Sequence, residues 1–139
     1  MKNIFYILFL LCTISCTNFN SYEEVNISLL ESKPIVTVLG NETIDFGVIT
    51  EGETVDLEFK IKNTGDGSLI ITHATASCGC TKLDFPKDII EEGGTEIIKI
   101  TFDSKGKLGK QTKKITLVTN AIPSIKILTI TGEVQSSKN

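Results

Sequence analysis

Val55-Asp56-Leu57-Glu58-Phe59-Lys60-Ile61-Lys62 alternates apolar and charged residues without a break. Successive side chains of a β-strand point to opposite faces. The stretch is therefore a half-buried antiparallel strand, with Val55, Leu57, Phe59 and Ile61 toward a core and the charges toward water. Asn63-Thr64-Gly65-Asp66-Gly67 follows as a turn signal, and Leu69 to Thr75 is the next strand. Beyond the Gly93-Gly94 break, Ile98, Ile100 and Phe102 face inward around Lys99 and Thr101. Lys113 to Thr119 and Ile125 to Val134 follow, separated by Asn120-Ala121-Ile122-Pro123, and Ile35 to Leu39 and Thr43 to Phe46 come before. The result is about seven short strands and no helix, a spacing that predicts an all-β sandwich of two facing sheets. Parity changes where Ile127 and Leu128 are both apolar, so a bulge or two-sided burial is expected there.

A chain of 139 residues suits one domain and a targeting segment, and 40% hydrophobic residues suffice for a packed core. The net charge is -3 and every basic residue is Lys. Recognition of phosphates and bases leans on the arginine fork, so nucleic acid is not an expected partner.

Residues 1–15 have the pattern of a signal peptide. Lys2 supplies the positive start, Ile4 to Leu11 the apolar run, and Thr13-Ile14-Ser15 the small-residue approach to Cys16. The apolar run is well short of the roughly 20 residues that span a bilayer. Thr13-Ile14-Ser15-Cys16 is similar to a bacterial lipobox, with Thr13 where Leu is usual, which makes Cys16 the expected lipidation site and a membrane the expected anchor. Residues 16–33 are then a lipidated cysteine and tether, with an end-to-end distance of roughly 20–25 Å; the other reading docks Ile27, Leu29 and Leu30 on the domain as a first strand. Residues 34–135 form the domain and 136–139 a tail.

With Cys12 removed in the signal and Cys16 acylated, Cys78 and Cys80 are the thiols left to the mature chain. An exported compartment permits their pairing. In an extended strand their Cα atoms lie roughly 6.6 Å apart, at the limit of disulfide reach. A bend at Gly79 shortens that span and places the pair at the sandwich rim, partly exposed, so that valine at 79 is expected to prevent bridging. Three readings stay open: an exchanging dithiol, a two-thiolate clamp for a soft ion such as Cu(I), and small hydrophobes packed at a strand end. His73, the one histidine, falls on the opposite face by strand parity and reads as a surface residue. Lys105, Lys107, Lys110, Lys113 and Lys114 form a basic stretch, read as aggregation protection on an edge strand, with contact to anionic lipid or glycan as the other reading.

Phe46-Gly47, Glu51-Gly52-Glu53, Phe59, Asn63-Thr64-Gly65, Leu69 to Thr72, Ser77-Cys78-Gly79-Cys80-Thr81, Gly93-Gly94 and Gly132-Glu133-Val134 occur in that order. Together this set resembles the bacterial family of domain of unknown function 1573, over about residues 40–135. The sequence departs from it at Gly93-Gly94, where Pro-Gly is frequent. The resemblance implies an immunoglobulin-like sandwich, related to domains of abnormal-spindle and hydin-type proteins. It also implies a secreted or lipid-anchored chain of Bacteroidetes-like bacteria, and no established activity. The expected role is a non-enzymatic envelope module binding a protein or glycan; the rival is a periplasmic thiol-redox or Cu(I)-handling protein using Cys78 and Cys80.

A lipid anchor at Cys16 carries more than the single acyl chain that gives only marginal membrane binding. Cys16→Ser is expected to move the protein from the membrane fraction to the soluble one. An unmodified Cys16 in the mass spectrum of the native protein would refute the assignment.

Overall fold

A computed structural model of the chain describes residues 33–137. The expected signal peptide, Cys16 and most of the expected tether lie outside the described residues. Eight strands are formed: β1 (Val36–Val38), β2 (Thr43–Thr50), β3 (Thr54–Asn63), β4 (Ile71–Ala76), β5 (Thr81–Asp84), β6 (Thr95–Asp103), β7 (Gly109–Thr119) and β8 (Ile125–Gln135). They make two four-stranded sheets, ordered β1-β3-β6-β5 and β2-β8-β7-β4. All pairings are antiparallel except β2 with β8. With β1 and β2 sharing the part of the first strand, these orders match the ABED and GFC sheets of a constant-type immunoglobulin domain.

The inner faces follow the alternation. Phe59, Ile61, Ile98, Ile100 and Phe102 of the first sheet and Ile71, Ile115, Leu117, Leu128, Ile130 and Val134 of the second are buried. Each contributes roughly 1.5–3 kcal/mol of transfer free energy. Leu69 and Ile90 close one end of the core, where they pair in an isolated bridge between loops. Close packing also fixes Gly132: a Cβ there would lie 2.2 Å from the Phe46 ring, so the glycine is what lets Phe46 lie over β8. Phe46 in turn meets Phe102 at 5.3 Å between ring centroids.

Asn63, at the end of β3, is wholly buried and fully bonded. Its Nδ2 donates to the carbonyls of Gly67 (2.7 Å) and Ile90 (3.1 Å), and its Oδ1 accepts from the N–H groups of Ile35 (3.3 Å) and Gly65 (3.2 Å). An amide side chain has two donor hydrogens and two acceptor lone pairs, so none is left wanting. Gly65 is required beside it, because a Cβ would fall 2.1 Å from the Lys33 carbonyl oxygen.

Several expectations need correction. β5 (Thr81–Asp84) is a strand that the sequence pattern did not mark. The turn that precedes it lets four residues pair with β6. No bulge occurs at Leu128; β7 and β8 stay in register from Gly109↔Val134 to Val118↔Ile125. Leu128 and Ile130 point inward, and Ile125 and Ile127 are exposed on the outer face. The second sheet's irregularities are in β2, between Asp45 and Val48, and in β4, between Ile71 and His73. Lys110, Lys113 and Lys114 lie on β7, which sheet order places between β8 and β4 but which β4 covers only from Ile115 to Thr119.

Phe59 (2% exposed) and Lys60 (exposed) occupy opposite faces of β3. Phe59→Ala is expected to cost about 3–5 kcal/mol and Lys60→Ala under about 0.5 kcal/mol in denaturant unfolding. Equal losses would contradict the assigned faces.

Candidate functional site

β4 belongs to the second sheet and β5 to the first, so the chain between them must change sheets within Ser77–Cys80. Ser77 fixes the departure: its N–H donates to the Lys114 carbonyl (2.9 Å) and its Oγ accepts from the Lys114 N–H (3.1 Å). The Thr81 N–H closes a turn on the Cys78 carbonyl (3.3 Å), and the Cys80 carbonyl accepts from the Asp103 N–H (2.9 Å), fixing the arrival beside β6. Cys78 and Cys80 are joined as a disulfide with Cα atoms 5.3 Å apart, inside the span an extended strand would leave. The Thr81 hydroxyl lies 3.3 Å from the Cys78 sulfur. A bridged sulfur has no proton, so Thr81 donates and the sulfur accepts. Both cysteines are half-buried, and Cys80 packs against the core while Gly79 is exposed.

The bend is not the work of a special glycine conformation. Gly79 is not among the glycines with positive φ, and a Cβ built on it meets nothing within 4 Å. A single methyl at 79 therefore fits the turn, and the backbone bonds of the turn shape the corner. Ser77 and Thr81 were not singled out from the sequence as separate contributors. Their signal was present as small polar residues on either side of the cysteines, a pattern suited to side-chain bonds in a turn.

His73 is exposed on β4, opposite Val118 of β7. Ala74 faces Leu117 and packs inward, which puts His73 on the outer face. Among the described residues no three His, Cys, Asp or Glu side chains gather as a metal site. While the disulfide is closed, Cys78 and Cys80 have no thiolate to offer a metal; opened, they supply two sulfur donors of the kind that select Cu(I). A shallow depression of about 370 Å³ opens beside the β2 irregularity, lined by Asp45, Gly47, Val48, Lys110, Thr112 and Glu133 among others. It is not enclosed, unlike the pockets that bury most of a small ligand. The basic stretch is divided. Lys113 turns inward, its Nζ 3.0 Å from Gln111 Oε1 and 5.9 Å from the Phe102 ring centre, whereas Lys105, Lys110 and Lys114 are exposed.

Strand order and the sheet-changing corner define an immunoglobulin-type sandwich domain. The chain belongs to the family of proteins of unknown function DUF1573, whose model matches residues 37–134. No curated protein sequence matches it. Among solved structures it is similar to a protein of unknown function from Porphyromonas gingivalis W83, with TM-score 0.66 and 16% identity over 81% of this chain and 51% of that one. This chain thus spans about half the length of that protein. It is also similar to an ASH/PapD-like domain of human CEP192, with TM-score 0.60 and 13% identity over 74% of this chain and 87% of that one. A family 123 glycoside hydrolase from Clostridium perfringens aligns with TM-score 0.64 and 9% identity, over 76% of this chain and 27% of the enzyme. Identities this low establish a shared fold and nothing of activity.

A disulfide across so short a loop removes little entropy from the unfolded chain, about 1.5 kcal/mol. Replacing both Cys78 and Cys80 with Ser is therefore expected to cost about 1.5 kcal/mol in denaturant unfolding, without loss of the fold. Gly79→Ala is expected to keep the bridge, read by mass spectrometry after alkylation without reductant. Two alkylated thiols in Gly79→Ala would show that glycine is needed after all.

Proposed function

We propose that the chain is a non-enzymatic module of the bacterial cell envelope. It is exported, held to a membrane by lipid on Cys16, and binds a protein or glycan through the edges and loops of its sandwich. The observation that supports this reading is the use of the Ser77–Thr81 corner. Its polar groups and both sulfurs are engaged in changing sheets. The residues with the most reactive chemistry thus have a structural task, and binding falls to the surface.

A second reading is favoured by one feature, the half-exposed position of both cysteines. A thiolate of a partner protein attacking one sulfur forms a mixed disulfide and expels the other sulfur as a thiolate, which takes a proton from water. A second thiolate of the partner then attacks the mixed disulfide, the partner leaves as its own disulfide, and the reduced Cys78–Cys80 pair is free for exchange or for Cu(I).

Cross-linking of the full-length protein in the cell envelope separates the two. The module reading expects the double Cys78→Ser, Cys80→Ser protein to keep the wild-type cross-linked partners. It also expects neither single serine variant to trap a reductant-sensitive adduct. Loss of partners in the double variant, together with mixed disulfides in the single ones, would replace it with the exchange reading.

A further inference from the structure

β4 accompanies β7 for only part of its length. β7 runs from Gly109 to Thr119, but β4 pairs with it only from Ile115 to Thr119. Ser77 takes both backbone groups of Lys114, and the chain then leaves for the other sheet. The N–H and C=O of Lys114 thus point to the side of β7 where β4 lies. Backbone groups alternate sides along a strand, so those of Thr112 and Lys110 point the same way. The Thr72 hydroxyl, which donates to the Val118 carbonyl (3.0 Å), confirms the parity from the other end. Among the described residues nothing in β4 or the corner bonds the backbone of Lys110 or Thr112.

Gly109–Lys113 is thus a short open edge inside a sheet whose strand order makes β7 an inner strand. On its other side the pairing with β8 is unbroken from Gly109 to Val118. No proline interrupts it, and its lysines are the kind of residue that keeps such an edge from pairing indiscriminately. Rows of unpaired donors and acceptors two residues apart are the template for adding a strand. The setting is cationic: Lys110 and Lys114 are exposed on the strand, Lys105 is exposed in the preceding loop and Lys107 is half-buried there. Two acids stand nearby: Glu133, in register opposite Lys110 on the adjoining strand, and Asp45, which lines the same depression as Lys110.

We propose that Gly109–Lys113 is a strand-addition site for an extended, acidic segment of a partner protein, laid antiparallel to β7 where β4 leaves it. This rests on the binding-module reading and specifies its surface. Backbone bonds to Lys110 and Thr112 supply register, and Lys110 and Lys114 select acidic side chains on the outer face.

The test uses a synthetic peptide alternating Glu and Val, and one alternating Lys and Val, on the full-length protein. Amide hydrogen exchange at Lys110 and Thr112 is expected to slow with the acidic peptide and not with the basic one. Thr112→Pro removes an N–H on the open side and no bond to β8, so it is expected to weaken acidic-peptide binding by about tenfold or more. Lys110→Gln with Lys114→Gln, which asks nothing of the backbone, is expected to weaken it about three- to tenfold and to remove most of its salt dependence. Unchanged exchange with the acidic peptide, equal protection by the basic one, or protection that grows with protein concentration alone would overturn the proposal, the last by giving the edge to a second copy. If Thr112→Pro leaves the envelope cross-links intact, the edge is wrong and the module reading stands. If the cross-links vanish in the double serine variant, the module reading itself fails.

Discussion

Phe59, Ile98, Ile100 and Phe102 of one sheet are buried with Ile115, Leu117, Leu128 and Ile130 of the other in a single core, and neither sheet can bury its face without its partner. The remainder of the structure answers to that mutual exclusion of water. Loops that close the ends of a dry sandwich bring backbone groups that water no longer reaches, and an orphaned one costs about 1–3 kcal/mol. Asn63 meets this demand at one end. Ser104, wholly buried, meets it at the other, its hydroxyl 2.7 Å from the Glu53 carbonyl and 3.1 Å from that of Thr50. Two small polar side chains thus let an apolar core extend close to both ends. Among the described residues no buried side-chain polar atom is left without a partner.

The sandwich was legible because burial on one face writes a period of two into the sequence. Val55 to Lys62 shows it openly, and Ile98 to Phe102 and Ile125 to Val134 show it in part. What escaped was short or contextual. β5 has four residues, Thr81 to Asp84, of which only Thr81 and Leu83 turn inward; so brief an alternation does not stand out from a loop. The adjacent apolar pair Ile127-Leu128 suggested a bulge because exposed isoleucine on an outer sheet face looks, in sequence, like burial. Asn63 was visible as a turn residue, but two of its bonds reach Ile35 and Ile90, and contacts that distant leave no local pattern.

The candidate site was legible in a different measure. Cysteine count, with Cys12 expected to leave in the signal and Cys16 expected to be acylated, singled out Cys78 and Cys80. The geometry of their turn was not open to the same reasoning, because Gly79 invites an explanation by flexibility that the backbone does not need. The bonds of Ser77 to β7 and of Cys80 to Asp103 depend on which strands are neighbours, which is a property of topology. The open half of β7 has the same origin: it exists because the corner withdraws β4 early. A turn motif thus has two effects, one at the rim where the sulfurs sit and one along the neighbouring strand.

The parallel pairing of β2 with β8 has a mechanical consequence. Traction applied between Lys33 and Gln135 meets β1 first, a strand of three residues paired to β3. Once β1 yields, the load passes to β2 at Thr43, while the opposing pull enters β8 at Gln135. Thr43 lies beside Thr129 and Thr50 beside Gln135, so the two forces act at opposite ends of parallel neighbours. The hydrogen bonds between them are then strained sideways and together, as in a lap joint, not parted one after another. Survival under such traction is set by the rate of crossing the unfolding barrier rather than by equilibrium stability. A domain wired in this way holds against a steady tug at its ends even if its folding free energy is ordinary.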